Sequence, residues 1–213
     1  MNKINYYKKS LEEIEIIKKL DYKPSILLHS CCGPCSTFPL TFLNEYFNIT
    51  IYYNNSNIYP ESEFNRRLNE LKEYINKEFK DIKLIVPKYD NESYNKFLGV
   101  FKEMPEGKER CFACYAKRMD EGFKYAAENN FDYYTTVMSI SRQKNSQKLN
   151  VIGSTLEKKY NKVKYFYSDF KKKDGNLKSN QIAKENDMYR QDYCGCIYSY
   201  NSRNKKHKGD LYE

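Results

Sequence analysis

The sequence contains no tryptophan, no glycine-rich phosphate loop and no long apolar run, and each absence removes a class of function. No window approaches the roughly 18 consecutive apolar residues of a membrane-spanning helix, so no membrane partner is expected. The first 20 residues, MNKINYYKKSLEEIEIIKKL, carry charge throughout where an export signal would have an apolar core, and the expected location is the cytoplasm. Neither GxGxxG nor GxxxxGK followed by Ser or Thr occurs, which removes the usual loops for gripping a dinucleotide or a nucleoside triphosphate. Repeats, low-complexity tracts and linkers are also missing, and 213 residues suit one domain better than two. The expectation is one domain over residues 1–213, with an amphipathic helix within 1–22 and a basic tail from 202 to 213.

What is present is charge and sulfur. Lys and Arg number 37 against 28 acids, a formal net charge of +9, and such an excess favours polyanions such as nucleic acid through counterion release. A composition rich in Lys and Asn for no functional reason is the competing explanation. Seven cysteines in a reducing compartment point to metal or redox chemistry in preference to a disulfide framework. They fall into three tight groups: Cys31, Cys32 and Cys35; Cys111 and Cys114; Cys194 and Cys196.

Hydrophobic spacing places these groups on a fold. Ile4, Leu11, Ile14, Ile17 and Leu20 recur at near-helical intervals and predict an N-terminal helix on the outside of the core. Strands are predicted at 25–29, 49–53, 82–86, 133–140 and 163–167, separated by helices from Pro34 to about 46, at 61–79, in segments over 92–129, at 143–160 and at 179–186. Pro34 suits the first turn of its helix, where a missing N–H is no loss. Alternating β and α elements predict a mostly parallel sheet flanked by helices on both faces. Sites in such sheets form beyond the carboxyl ends of the strands, where Cys31 to Cys35 fall.

The loop LLHSCCGPCSTFPL reads two ways. A CxxC opening a helix is the arrangement of a thioredoxin-type dithiol, because the helix N-terminus stabilises the first thiolate. A third adjacent cysteine, the missing tryptophan and two further cysteine groups weigh against it. Cys111 and Cys114 lie three apart at the start of a helix whose apolar face continues through Tyr115, Met119, Phe123 and Ala126, so both sulfurs can address one ion or cluster. Four thiolates suit zinc or an iron–sulfur cluster on ligand type. Adjacent sulfurs at 31 and 32 are expected to diverge, which favours a cluster with separated iron corners. Cys194 and Cys196 are close enough for a strained, reducible disulfide, or are two thiols opening a terminal strand. His29 reads as a hydrogen-bonded core residue in preference to a proton donor.

LLHSCCGPC, IYYNNSNIYPESEFNRR, ERCFACYAKRM, SDFKKKDG and YRQDYCGCIYS together resemble the QueH type of epoxyqueuosine reductase, over nearly the whole chain from about 23 to 199. The resemblance implies a three-layer, Rossmann-like (HUP-like) α/β fold and an oxidoreductase of queuosine synthesis that removes the epoxide oxygen from epoxyqueuosine at the wobble position of tRNA. It implies no cobalamin. It also implies a [4Fe-4S] cluster on Cys31, Cys32, Cys111 and Cys114, and a redox-active disulfide between Cys194 and Cys196. An additional mononuclear iron shares cluster thiolates and takes a further ligand that is commonly Asp in the family; here Cys35 stands in that position. An electron donor of unspecified identity is a further partner.

An anticodon loop offers phosphates and unstacked bases, which call for cations and aromatic faces. Lys171, Lys172, Lys173 and Lys178, then Arg203, Lys205, Lys206 and Lys208, are the candidate cations, with a solvated face as the plain alternative. Arg190 and Asp192 are candidates beside the cysteine pair. Two rival functions use the same residues: a zinc-stabilised RNA-binding domain, and a metal-free thiol–disulfide oxidoreductase.

Overall fold

The computed structural model describes residues 3–209, with side chains described to 204. Helix α1 (Tyr6–Ile17) precedes strand β1 (Ser25–His29), followed by α2 (Gly33–Leu43), β2 (Asn48–Tyr52), α3 (Glu61–Glu78) and β3 (Lys83–Ile85). Helices α4 (Asn91–Gly99) and α5 (Glu109–Glu128) lead to β4 (Tyr133–Thr136), α6 (Ser146–Lys159), β5 (Lys164–Tyr165), α7 (Gly175–Glu185) and α8 (Ile197–Gly209). The five strands form an all-parallel sheet in the order β3-β2-β1-β4-β5. This is the Rossmann-like α/β architecture expected.

Side chains on a strand alternate between faces, and β1 shows what that does. Ile26 and Leu28 join a core with Leu40 of α2, Leu71 of α3, Ile14 of α1 and Ala183 of α7. Leu27 points into a second core with Met119 and Phe123 of α5 and Leu149 of α6. Both faces are therefore covered, which is why the central strand is apolar at consecutive positions.

The chain winds outward from β1 through β2 to β3, then returns through α4 and α5 to β4 on the other side of β1. The crevice beyond β1 and β4 is thus the topological switch point, the usual place for a ligand in such a sheet.

Several local expectations are corrected. In α1 the buried side chains are Tyr6, Ser10, Ile14 and Ile17, whereas Ile4, Leu11 and Leu20 are exposed, so the inward face is rotated from the predicted one. Strand β4 stops at Thr136, whose hydroxyl accepts the Met138 N–H at 3.2 Å and turns residues 137–140 into a short 3-10 turn. At the sheet edge only Lys164 and Tyr165 pair, in place of the longer strand. The segment after Cys196 is helix α8, not a strand, and it takes in the first part of the basic tail. The side chains of Lys205, Lys206 and Lys208 lie outside the described residues.

Candidate metal and redox site

Strand β1 delivers His29, Ser30 and the cysteine loop to the switch point. Cys32 is the N-cap of α2, with extended backbone, and Pro34 occupies the first turn as predicted. The sulfurs of Cys31, Cys32 and Cys35 all lie within 4.8 Å of one another, and those of Cys31 and Cys32 are 3.8 Å apart. The expectation that adjacent sulfurs diverge is not met: the turn into α2 folds both onto one spot. Sulfur spacing in this loop therefore accommodates a single ion as well as a cluster.

Hydrogen bonds from Cys32 and Cys35, with the charges of Lys144 and Arg118 nearby, hold the Cys31 thiol well below its ordinary range. Its hydrogen bond to Cys31 pushes the Cys32 thiol up to about 12, and hydrogen bonds to Cys31 and Cys32 raise Cys35.

Helix α5 brings the second group. Cys111 and Cys114 start it, and burial raises both thiols, Cys114 to about 12. Each lies within electrostatic reach of Cys194 and Cys196, which are free thiols in the loop before α8. Cys35, Cys111 and Cys194 share the wall of one cavity of about 770 Å³, with Lys144, Arg190 and Asp192 also on its lining. The topology thus assembles sulfur from all three sequence groups at one end of the sheet.

The loop after β2 is the scaffold of this end. Asn54, Asn55, Ser56 and Asn57 are all buried. Asn55 donates to the Ser30 carbonyl at 2.8 Å and accepts from Arg118 at 2.6 Å, tying the cysteine loop to α5. His29 is fully buried, and its Nδ1 meets Thr136 Oγ1 at 2.8 Å. Burial and the Arg118 charge press its pKa down to about 3, so the ring is neutral and serves as a core hydrogen-bonding group.

Arg67 anchors the third group from α3. Its Nε pairs with Glu63 at 2.7 Å, and its other nitrogens donate to the Cys194 and Tyr193 carbonyls at 3.2 and 3.3 Å. Gly195 has φ of +128, a backbone region that side chains rarely adopt, and a Cβ there would press on Arg67 and Ile58 at 3.2 Å. Gln191 reaches from the same loop to the Cys32 sulfur at 3.2 Å.

The candidate cations separate. Lys171 is held by Asp169 at 3.3 Å and by the Ser139 and Lys144 carbonyls, so it is committed to the fold. Lys172 and Lys173 are exposed, and Lys178, also exposed, lies over the Phe38 ring. A smaller pocket of about 260 Å³ joins Lys171 and Lys172 to Arg142, which also lines the main cavity. Arg203 pairs with Asp192 at 2.9 Å. Arg67, Arg118, Lys144 and Arg142 are not among the residues singled out from sequence. Arg67 and Arg118 do sit inside the quoted motifs IYYNNSNIYPESEFNRR and ERCFACYAKRM, a signal for them that composition and periodicity do not provide.

A family model described as "Epoxyqueuosine reductase QueH" matches residues 26–202. A protein of Streptococcus pyogenes serotype M1 named epoxyqueuosine reductase QueH is 37% identical over 201 residues, covering 92% of this chain and 78% of its own length. Relatives of the same name from Staphylococcus epidermidis and Thermotoga maritima are 38% and 30% identical, covering 92% and 86% of this chain and 85% and 94% of theirs.

Proposed function

The chain belongs to the epoxyqueuosine reductase QueH family, and from that premise we propose that it reduces epoxyqueuosine in tRNA to queuosine with a [4Fe-4S] cluster held by Cys31, Cys32, Cys111 and Cys114. The observation that carries the reading is that one cysteine from each of the three groups, Cys35, Cys111 and Cys194, lines a single cavity at the switch point of the sheet, beside the close sulfurs of Cys31 and Cys32. The donor set fits: sulfur-only, with Cys31, Cys32 and Cys114 buried and Cys111 half-buried on the cavity wall, and with Arg118 and Lys144 as nearby cations. When bound, the cluster supplies low-potential electrons one at a time, which no side chain does. Cys35, beside Cys31 and Cys32, is the residue for an additional iron. No cobalamin is needed in this scheme.

The reaction consumes two electrons and two protons and turns an epoxide into an alkene and water. Cys194 and Cys196 passing from two thiols to one disulfide release two electrons and two protons, the same count, and an external reductant would restore them. Arg67 holds the loop that carries this pair through the Cys194 and Tyr193 carbonyls, with Cys194 on the cavity wall. Arg142, Arg190 and Lys172 stand where the flanking phosphates would pass.

The test is incubation of anaerobically purified protein with tRNA carrying epoxyqueuosine and a low-potential reductant, followed by nucleoside analysis. Loss of one oxygen to give queuosine, abolished in Cys31→Ala and Cys111→Ala, is the predicted result. Unaltered epoxyqueuosine with iron-loaded protein would reject the reading. A zinc-stabilised RNA-binding domain is the second reading, favoured by the close approach of Cys31, Cys32 and Cys35; it predicts zinc without sulfide and no conversion.

A further inference from the structure

Arg118 is a buried cation of a different kind from Arg67. It is 2% exposed, it cannot shed its proton, and among the described residues no ion pair joins it to a carboxylate. Arg67, equally buried, has Glu63 at 2.7 Å. The Arg118 fork donates to two neutral acceptors, Asn55 Oδ1 at 2.6 Å and His29 Nε2 at 3.2 Å, and its Nε has no partner at all. A guanidinium in such a place costs heavily unless an anion balances it.

The sulfurs are the groups in reach that become anionic when they bind iron. Cys111, Cys114 and Arg118 stand at i, i+3 and i+7 on one face of α5. Arg118 contacts Cys114, and Cys31 and Cys194 lie within electrostatic reach of it. Lys144, on the cavity wall, faces Cys31, Cys194 and Cys35, and it also makes no ion pair with a carboxylate among the described residues.

We propose that Arg118, assisted by Lys144, is the fixed counter-charge of the thiolate-bound centre, a positioning residue that sets how tightly the centre is held and how readily it accepts an electron. The inference rests on the cluster reading of the site. A cluster's potential follows its net charge and the hydrogen bonds around its sulfurs, and a fixed positive charge in a dry surrounding favours the more reduced state. His29 and Asn55 then have a definite task, which is to aim the fork of Arg118 between α5 and the β1 loop.

The experiment is anaerobic reconstitution of the full-length wild type, Arg118→Gln, Arg118→Lys and Lys144→Gln with ferrous iron and sulfide. Iron and acid-labile sulfide per chain, iron retained under chelator, and a redox titration followed by visible absorption are read out. Arg118→Gln is expected to lose iron severalfold faster and to shift its midpoint negative by about tenfold in the ratio of reduced to oxidised centre, ~59 mV for one electron. Arg118→Lys, which keeps the charge, recovers most of the shift, and Lys144→Gln shifts the same way by less because it borders solvent. A midpoint in Arg118→Gln equal to the wild type overturns the assignment, since a purely structural arginine would change the melting temperature and leave the potential alone. If Arg118→Gln does not fold, Lys144→Gln decides: a negative shift supports the counter-charge, and an unchanged midpoint overturns it. Wild-type protein that binds no iron and sulfide is a separate result, rejecting the cluster reading and this inference with it.

Discussion

Cysteine is rare enough that its grouping is informative on its own, and the seven here mark the site without any structure. The basic residues that organise them are not marked, because Arg and Lys ordinarily belong to the surface and their burial follows from the tertiary fold. Arg67 is the clearest case. Removing it leaves the buried Glu63 with only the Tyr189 hydroxyl and frees the Cys194 loop, so Arg67→Met should cost about 3 to 5 kcal/mol by chemical denaturation. Alkylation of Cys194 in the native protein should quicken at the same time. At Gly195 the backbone itself is the constraint: Gly195→Ala places a side chain at φ of +128 and should destabilise by about 1 to 3 kcal/mol. Unchanged stability in either variant would mean that the loop is not held as described.

Elements with strong periodicity are readable from sequence, and those defined by a neighbour are not. Strand β1 is recovered to the residue, and the buried face of α5 is the predicted series Tyr115, Met119, Phe123 and Ala126. By contrast, β5 exists only where β4 offers a partner, and the end of β4 is set by one threonine hydroxyl. The α1 face escapes prediction because Tyr6 and Ser10 turn inward while more apolar side chains stay out. Two element contacts can be tested directly. Phe123 is fully buried in the second core, and Phe123→Ala should lose about 3 to 5 kcal/mol. Gly175 starts α7, where a Cβ would meet the Phe170 carbonyl and the Phe38 ring; Gly175→Ala should push α7 from its seat and cost about 1 to 3 kcal/mol. A melting curve matching the wild type would show that the packing has room to spare.

At the scale of the whole molecule, the doubly covered parallel sheet leaves its carboxyl edge as the place where separate chain segments meet. This is why cysteines some 160 positions apart share one cavity, a juxtaposition that the alternation of strands and helices anticipates. No helix of the described residues is long and apolar enough to cross a membrane. Among the described residues, Arg142 lines both the main cavity and the smaller pocket that it shares with Lys172. On that basis Arg142→Ala combined with Lys172→Ala should weaken tRNA binding and flatten the dependence of log affinity on log salt by about 1.4, the release expected for two single-strand phosphates. Lys171→Ala should chiefly reduce stability, because that side chain is already engaged by Asp169 and two carbonyls. Equal salt slopes for the double variant and the wild type would remove Arg142 and Lys172 from the RNA path.

The central claim is that these sulfurs hold an iron–sulfur centre. It is tested most directly by iron, acid-labile sulfide and zinc per chain in anaerobically purified protein, with visible absorption followed on adding dithionite. Four or five irons with about four sulfides, bleaching on reduction, is the predicted result, a fifth iron assigning the additional site beside Cys35. Stoichiometric zinc without sulfide, or no metal at all, would contradict it.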